Sequence, residues 1–574
     1  MTLLRKFKRA LRGEVKPKTI FLESIRRAQS SRQSRQERSN LDRLNGELPR
    51  LTLQTSDLVF HFKSRVAPQF FPGFSQDSRR LHLELFPSET EELLAIAEHI
   101  AQDHSWPLLG FGSKSFGAEV QWSKDPLSGF VWPLDYHRDI SLIRNDGSDA
   151  RALWELNRLG HLVTLGHAFV LSSNEDFSKE CVEQLRSWAR QNPYGRGVNW
   201  TCAMEGALRA MNLLALFELL KYSAHFDRPT LELFLRLFHQ HGTYIMNNLE
   251  FSYISTSNHY ISDLAGLVWL GVMLPEFSEA ENWREFGLTR LLREMDKQVL
   301  PDGADFESST GYHRFVLELF LYTFILCKEN SINIGENYWQ KLRTMLEYMR
   351  GYLRPDGLAP LIGDSDSGRV LPGTRRSADE HAYVLTIGAA ALGDAKLRTR
   401  TVDVCPELLW LLGRKGIQTF ENLKVNIDQG SQAFPTAGIY VMRHEDLYLC
   451  MNVSDAGLNG RGSHGHNDAL SIEVCVGSQS FIIDPGTYVY TADLDQRHLF
   501  RSTLYHSTIR IDGEEQNTTL KSVPFVIGNE AKPQVVSWET TSEFDRLVAE
   551  HFGYSRLTSP VVHRRTVQLN KRER

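Results

Sequence analysis

Residues 203–223 read AMEGALRAMNLLALFELLKYS, in which apolar side chains recur at three- and four-residue spacing. That spacing predicts an α-helix. The apolar face is wide, as expected when helices pack in two layers. Similar runs recur from residue 85 to 415, for example ARALWELNRLGHLVTLGHAFVLS at 150–172 and HRFVLELFLYTFILCKE at 313–329. Clusters of Gly, Pro, Asn and Asp separate these runs, so we predict about nine or ten helices without a strong sequence repeat.

After residue 430 the pattern changes. Residues 436–454 read TAGIYVMRHEDLYLCMNVS, in which Val, Ile and Tyr alternate with polar residues. Such alternation between turn residues predicts antiparallel strands. We predict further strands in four stretches: DALSIEVCVGSQSFIIDPGTYVYT at 468–491, HSTIRIDG at 506–513, RLVAEHFGYS at 546–555 and VVHRRTVQLN at 561–570. The last stretch ends at LNKRER without a partner strand, so the β region is expected to be cut short or to end on a bare edge.

The composition is that of a globular protein. The 574 residues are 41% hydrophobic and 24% charged, which excludes a disordered chain, a collagen-like repeat and a coiled-coil rod. The six Cys lie far apart, so neither a disulfide framework nor a Cys-based zinc site is expected. No run approaches the roughly 20 apolar residues of a membrane-spanning helix. We predict a multidomain chain, α then β, with a flexible basic tail at 1–49, a helical domain at 50–425 and a β domain at 426–574.

The charge is unevenly distributed along the chain. Residues 1–43 carry a net charge of +9, so the remaining 531 residues carry −14. Residues 1–13, MTLLRKFKRALRG, form either a short basic amphipathic helix that contacts an anionic membrane surface or a partner, or the beginning of a solvated tail. The solvated tail is favoured because SSRQSRQERSN has nothing to bury. The segment lacks the apolar core of a secretory signal, which predicts a cytoplasmic protein, or a periplasmic one if the start site is misplaced.

Two short segments place polar side chains at the start of apolar helices. In STSNHYISDLAGL, Asn258 and His259 serve either as part of a helix cap or as catalytic groups. In DGADFESSTGYHRFVLELF, Tyr312 and Arg314 form either an ordinary helix start or one side of a cleft. In a cleft, a nearby cation would lower the pKa of the Tyr312 phenol from its reference value of about 10 toward that of a usable base.

A third segment, GRGSHGHNDALSIEV, contains His464 and His466 just before a predicted strand. Imidazole is both a zinc ligand and a general base, so the two histidines can divide these roles. Asp484 follows His466 by 18 residues and His506 follows Asp484 by 22, separations that hairpin-connected strands bring together. His466, Asp484 and His506 are therefore a candidate three-ligand zinc site with one open position. The alternatives are a turn cap for Asp484 and a buried, hydrogen-bonded His506.

Together these segments resemble the heparinase II/III-like polysaccharide lyases, which include heparan-sulfate lyases and oligoalginate lyases. The resemblance covers residues 80–570 and is carried by SNHY at 257–260, STGYHR at 309–314, SHGHNDALS at 463–471, FIIDPGTY at 481–488 and FRSTLYHSTIRIDG at 500–513. ALWELNRLGHL at 152–162 is similar to the signature of the helical domain. The resemblance implies an incomplete α/α toroid followed by an antiparallel β-sandwich, with the active site in the cleft between them.

The resemblance also implies roles for single residues. Asn258 and His259 correspond to the pair around the substrate carboxylate. Tyr312 corresponds to the catalytic tyrosine and His464 to the catalytic histidine. We expect three further side chains to contact the substrate: Glu205, Arg314 and Arg501.

The same resemblance implies one zinc ion per chain, mainly structural, bound by His466, Asp484 and His506. One departure from the family is visible here. The family usually shows His-Asn-Thr where this chain has His506, Ser507 and Thr508. Ser keeps a hydroxyl but lacks the amide, so the surroundings of this ligand are expected to differ.

The implied reaction is β-elimination at a uronic acid, which leaves an unsaturated uronate end. No water is consumed, so the carboxylate pair of a glycosidase is not required. We predict a lyase that acts on an acidic polysaccharide or oligosaccharide; sulfated glycosaminoglycan, alginate and bacterial exopolysaccharide all offer a uronate. Two alternatives remain open: a zinc-dependent glycan hydrolase, and a non-catalytic protein of glycan binding or exopolysaccharide assembly. No nucleic-acid partner is predicted.

Overall fold

The computed structural model describes residues 17–46, 48–53, 57–144, 146–365, 368–427, 430–458 and 460–572. Helices dominate as far as Asn422 and strands dominate from Gln432 onward. The helices of the first part are α1 Pro17–Gly46, α2 Leu58–Ser64, α3 Gln76–Leu85, α4 Pro87–Asp103, α5 Ala150–Asn157, α6 Gly160–Ser172, α7 Glu175–Gln191, α8 Ala203–Leu220, α9 Arg228–Asn247, α10 Asn258–Met273, α11 Ala280–Gln298, α12 Thr310–Glu329, α13 Glu336–Tyr352, α14 Ala382–Leu392 and α15 Pro406–Asn422.

The helices form two layers. Every residue of α8 and nearly every residue of α10 and α12 is buried, whereas α7 buries only the face that carries residues such as Phe177 and Trp188. The inner helices contact one another in the order α6, α8, α10, α12, α14, and the helices between them in sequence lie outside. Gly266 lets α10 approach α8 closely, since a Cβ there would lie 2.7 Å from the Cβ of Ala207. The predicted incomplete α/α toroid is confirmed.

One helix of the sequence prediction is divided in the structure. Residues 150–172 form α5 and α6, which are separated at Leu159, a residue with a left-handed φ of 63°. The next residue is Gly160, and a larger residue would not fit there, because a Cβ at that position would lie 2.6 Å from the side chain of Pro372. Divisions of this kind give twelve helices in the described chain between residues 85 and 415, more than the sequence predicted.

The second part of the chain is an antiparallel β-sandwich. One sheet has five strands whose order in space is their order in the sequence, and the other has three strands with the middle one of the sequence at its centre. Side chains from both sheets, including Met442, Met451, Leu547 and Leu569, form a common core. The bounds are β3 Gln432–Phe434, β4 Ile439–His444, β5 Leu447–Asn452, β6 Ile472–Val476, β7 Gln479–Ile482, α16 Leu494–Phe500, β8 Gln534–Thr540, β9 Phe544–His551 and β10 His563–Asn570; a small hairpin, β1 Ser105–Pro107 with β2 Ser113–Ser115, lies in the helical part.

The strand predicted at 506–513 is wrong. In the described chain this segment has only an isolated bridge between Ile511 and Glu514. In a strand, the backbone carbonyls of this segment would bond a neighbouring strand. Here side chains bond two of them instead: Arg565 donates to the carbonyl of Ser507 at 2.7 Å, and the Tyr554 hydroxyl donates to the carbonyl of Ile509 at 2.8 Å. The strands predicted around 436–454, 546–555 and 561–570 are confirmed as β4, β5, β9 and β10.

The flexible tail predicted at 1–49 is wrong for residues 17–46, which form α1. Leu41 and Glu37 on this helix are buried. The Glu37 carboxylate accepts hydrogen bonds from the hydroxyls of Tyr136 at 2.9 Å and Tyr194 at 3.2 Å, which compensates for its loss of hydration. The polar side chains of α1 therefore bond residues that are distant in the sequence, which the sequence pattern of α1 itself does not show. The amphipathic helix considered for the first residues lies in 1–16, outside the described residues.

Within the described ranges, none of the helices combines the length and the apolar character needed to cross a lipid bilayer.

We expect Leu41→Ala to loosen α1 from the toroid. Leu41 has 2% exposure and packs against Gly195, so its truncation leaves a cavity that costs about 2–5 kcal/mol. Limited proteolysis should cleave α1 faster in this variant, and the thermal unfolding temperature should fall. Leu48→Ala is the control, because Leu48 is half exposed and its truncation leaves no cavity. Equal cleavage rates in both variants would contradict the docking of α1.

Candidate active site

The first turns of the inner helices meet loops of the β-sandwich. The Leu458 amide donates to the carbonyl of Phe306, and Arg461 donates to the carbonyl of Ile254, at 2.9 and 3.0 Å. These contacts hold the segments that precede α10 and α12 against the sandwich. Side chains at the starts of both helices therefore share one space with the loop that carries His464 and His466.

Tyr312 and His464 are in direct contact. Their rings stack with centroids 3.8 Å apart and an angle of 23° between the planes. Ser309 caps α12 by accepting a hydrogen bond from the Tyr312 amide at 3.1 Å, which fixes the position of the tyrosine in the first turn. The Tyr312 and Tyr490 hydroxyls are hydrogen-bonded at 3.0 Å. The two residues that the sequence assigned to catalysis are thus brought together from the toroid and the sandwich.

Glu307 connects Asn258 to His464. The Asn258 backbone amide and side-chain amide donate to the Glu307 carboxylate at 2.6 and 3.0 Å. Nε2 of His464 lies 3.3 Å from the same carboxylate. Glu307 is fully buried, so these contacts replace its water. Because the Asn258 side-chain nitrogen lies 3.0 Å from both oxygens of the Glu307 carboxylate, Asn258 is held in place at the start of α10.

His259, the next residue, pairs with a different carboxylate. Its Nδ1 donates to Oε2 of Glu250 at 2.7 Å. Burial alone lowers the pKa of an imidazole, but the Glu250 carboxylate outweighs it and raises the pKa of His259 to about 9. Burial alone raises the pKa of Glu250, but the contact with His259 lowers it to about 2. About a third of the His259 side chain remains exposed.

Asp364 occupies the centre of the site. Nδ1 of His464 and Nε2 of His466 each donate to it at 2.9 Å, and Arg497 donates to both of its oxygens. The Thr487 hydroxyl adds a bond of 3.2 Å. Burial alone would raise the pKa of this carboxyl, but Arg497 and the two imidazoles hold the pKa of Asp364 well below its usual range. Asp364 thus connects the catalytic candidate His464 to the zinc candidate His466.

The three candidate zinc ligands converge. Potential ligand atoms of His466, Asp484 and His506 all lie within 4.8 Å of one another. Nδ1 of His506 donates to Asp484 at 2.9 Å. The other ring nitrogen of His506 and Nδ1 of His466 are buried, and neither has a hydrogen-bond partner among the described residues. Each imidazole therefore donates from one nitrogen and leaves the lone pair of the other free, which fits binding of a metal such as zinc.

The three predicted substrate contacts lie inside the protein. Glu205 is 1% exposed and bonds Arg158, and Arg314 is 2% exposed and donates to Glu318 at 2.6 Å. Arg501 is fully buried and donates to backbone carbonyls, among them that of Gly462 at 3.1 Å. These residues stabilise the walls of the site, so the prediction that they contact substrate is corrected. Their partners lie far away in the sequence, and the local pattern does not show them.

A cavity of about 830 Å³ lies beside these residues, between the toroid and the sandwich. Thr487 and Tyr488 line it from the sandwich, and Arg151 lines it from α5. The Arg151 guanidinium also lies 4.4 Å from the ring centroid of Tyr490, whose hydroxyl bonds Tyr312. The cavity therefore adjoins the group formed by Tyr312, His464 and Tyr490. Five arginines line it: Arg151, Arg158, Arg369, Arg375 and Arg376.

Two protein-family models match this chain, one in each of its two parts. The model described as "Heparinase II/III N-terminus" matches residues 88–378, and the model described as "Heparinase II/III-like, C-terminal" matches residues 426–574. The chain belongs to the heparinase II/III family. Membership agrees with the resemblance found in the sequence motifs, and with the toroid followed by a sandwich.

Individual relatives of this heparinase II/III chain are distant. It is 24% identical over 484 residues to a heparin-sulfate lyase of Pedobacter heparinus, with 81% of this chain and 62% of the relative covered. It is 23% identical to a heparin-sulfate lyase of Bacteroides stercoris, with 76% and 63% covered. The solved structure of heparinase III superposes with a TM-score of 0.66 at 18% identity, over 89% of this chain and 72% of that one. The chain spans about three fifths of the length of the curated relatives it matches.

Four residues of this family member's site were missed by sequence reasoning: Glu250, Glu307, Asp364 and Arg497. Glu250, Glu307 and Asp364 bond candidate catalytic or metal-binding side chains directly, and Arg497 acts through Asp364. Glu307 lies five residues before Tyr312, which was the available signal, although its carboxylate bonds the first amide of α10 and not those of α12. The other three act across more than one segment of chain, and no local pattern distinguishes them from surface charges.

We expect Asp364→Asn to destabilise the protein strongly. The substitution leaves the guanidinium of Arg497 buried without a counter-charge, and breaking a buried ion pair costs about 3–5 kcal/mol. Thermal or urea unfolding measures the loss. The matched control is Asp77→Asn, which removes an exposed ion pair with Arg414 and should leave stability nearly unchanged. Equal stability of the two variants would contradict the central place of Asp364.

Proposed function

We propose that this chain is a polysaccharide lyase that cleaves a uronic-acid-containing glycan of the glycosaminoglycan type by β-elimination. The observation that carries the proposal is the stacking of Tyr312 on His464 where α12 begins. Glu307 links His464 to Asn258, the residue before His259 at the start of α10. The relatives named heparin-sulfate lyase support a sulfated glycosaminoglycan as the substrate class.

The first requirement of β-elimination is stabilisation of negative charge. When the C5 proton leaves, charge develops on the uronate carboxylate, and fixed donors must face it. In this proposal His259 supplies that positive charge, because its Nδ1 is bonded to Glu250 and its Nε2 remains for the substrate. Asn258 anchors the first turn of α10 through Glu307 and thereby positions His259.

The second requirement is transfer of the proton from C5 and to the leaving oxygen. Both ring nitrogens of His464 face carboxylates, those of Asp364 and Glu307. This arrangement fixes the orientation of His464 and assigns the proton transfers to the Tyr312 phenol packed on its ring. In its deprotonated form Tyr312 takes the C5 proton and becomes a neutral phenol. It then gives that proton to the C4 oxygen as the C4–O bond breaks, on the same face of the sugar, which regenerates the phenolate.

Zinc belongs to the proposal as a structural ion bound by His466, Asp484 and His506. The side chains of both histidines are fully buried and that of Asp484 is 3% exposed, so a glycan has no access to a metal there. A bound ion would cross-link three loops of the sandwich, including the one that carries His464. This burial argues against a zinc-dependent hydrolase, which needs an open metal position for water.

We expect Tyr312→Phe to abolish turnover while the fold is retained. General acid–base catalysis contributes about 10²–10⁴-fold, so the rate should fall by at least that range, measured by the ultraviolet absorbance of unsaturated uronate on a panel of glycosaminoglycans. Tyr322→Phe is the control, because it removes a buried hydroxyl from the same helix, and its rate should stay within a few-fold of wild type. A Tyr312→Phe rate within a few-fold of wild type would remove Tyr312 from the mechanism.

We expect elemental analysis to find one zinc per chain, and His506→Ala to reduce the zinc content and the unfolding temperature together. The reason is the loss of a converging ligand from a buried site. His563→Ala is the control: His563 is a buried histidine of β10 paired with His551, so its loss should lower stability without lowering zinc content. Unchelated, fully active protein without zinc would contradict the proposal.

A further inference from the structure

We infer that Glu250 is a positioning residue for the reaction proposed above: it holds His259 as an imidazolium whose Nε2 faces the substrate carboxylate. Glu250 lies in the segment between α9 and α10. Because Glu250 binds Nδ1 of His259, the ring has one remaining donor, and a third of the side chain is open to solvent. Neither the sequence motifs nor the family resemblance pointed to this carboxylate.

The Glu250 carboxylate is fixed by four donors. Oε2 accepts from His259, while Oε1 accepts from the Cys202 thiol at 3.0 Å and from the amides of Ala203 and Met204 at 2.8 and 3.2 Å. Those two amides belong to the first turn of α8, where the helix dipole favours a negative charge. The Glu250 backbone is also held, because its amide donates to Asp263 of α10 at 2.7 Å. The carboxylate therefore cannot rotate away from His259 without losing several hydrogen bonds.

The charged groups with the largest effects on His259 act in the same direction. Glu250, Glu205 and Glu307 each raise its pKa, and the Cys202 thiol lies 3.8 Å from Nδ1 as a neutral group whose own pKa burial raises well above its usual value. With a pKa of about 9, His259 is charged throughout the neutral range. A cation that is held in place before the substrate arrives stabilises the developing carboxylate charge without reorganisation.

The same three side chains have another chemical interpretation. Ligand atoms of Cys202, Glu250 and His259 lie within 4.8 Å of one another, a spacing that a metal ion accepts. Two main-chain N–H groups and the positive end of α8 point at the carboxylate, however, and they oppose a cation at that place. An imidazolium that donates one hydrogen bond satisfies the carboxylate without displacing these donors.

The direct test is the pKa of His259 in the free, full-length protein, followed by NMR of the imidazole Cε1–H signal over pH. The His259→Gln variant identifies the signal. We expect a wild-type value near 9 and a decrease of about two units in Glu250→Gln, where the carboxylate charge is lost but the shape is retained. Glu250→Asp, which keeps the charge at a greater distance, should give an intermediate value.

The matched control is Glu180→Gln. Glu180 pairs with His104 at 3.1 Å on the same domain, so this variant removes an equivalent contact elsewhere and should leave the pKa of His259 unchanged. The second readout is the pH profile of kcat/KM. The ratio of wild-type to Glu250→Gln rates should rise roughly tenfold from about pH 6 to pH 8, because the variant loses the imidazolium in that interval. Glu180→Gln should show no such pH-dependent ratio.

A wild-type pKa of His259 at or below its usual range would overturn the inference without any variant. So would an unchanged pKa in folded Glu250→Gln, or zinc binding at Cys202, Glu250 and His259 that competes with protonation. The pKa measurement needs no substrate, so it stands even if no glycan is cleaved. If Tyr312→Phe loses activity while the pKa of His259 in the wild-type protein lies in its usual range, the lyase proposal is supported and the role of Glu250 is rejected.

Discussion

The candidate active site of this heparinase II/III chain depends on one buried charge, the carboxylate of Asp364. Asp364 lies in the loop after α13 of the toroid, yet among the described residues the side chains that bond its carboxylate come from 464–497 of the sandwich. A buried carboxylate without partners is costly, so the ion pair with Arg497 and the bonds to His464 and His466 determine how the two parts of the chain fit together. The same contact sets the orientation of His464 and leaves Nδ1 of His466 free for a metal.

Two further carboxylates repeat this arrangement at the inner helices. Glu307 binds the start of α10 and faces His464, and Glu250 binds the start of α8 and holds His259. In each case helix amides stabilise the negative charge, and the charge then fixes a polar side chain at the cleft. The chemistry proposed for Tyr312 and His259 therefore rests on acidic residues that need not touch the substrate.

The sequence predicted the fold well where the signal was periodic. The apolar spacing in 203–223 predicted a helix with a wide apolar face, and the alternation in 436–454 predicted antiparallel strands, because both signals follow from the repeat of the element itself. The separations between His466, Asp484 and His506 also predicted a cluster that the structure forms.

Where the deciding contacts are long-range, the sequence predictions failed. α1 is polar along most of its length but docks through Glu37 and Leu41. Arg314 and Arg501 looked like ligands for an acidic substrate, although the structure buries them against internal acceptors. An arginine that binds a carbonyl or carboxylate of its own chain and one that binds a substrate have the same local sequence, and only the packing distinguishes them.

The measurement that tests the central claim most directly is mass spectrometry of the products formed from a uronate glycosaminoglycan in water labelled with ¹⁸O. β-Elimination consumes no water, so the account predicts products whose masses sum to that of the substrate, with an unsaturated uronate end and no incorporated label. Products heavier by one water, with the label at the new reducing end, would identify a hydrolase and contradict the roles given to Tyr312 and His259.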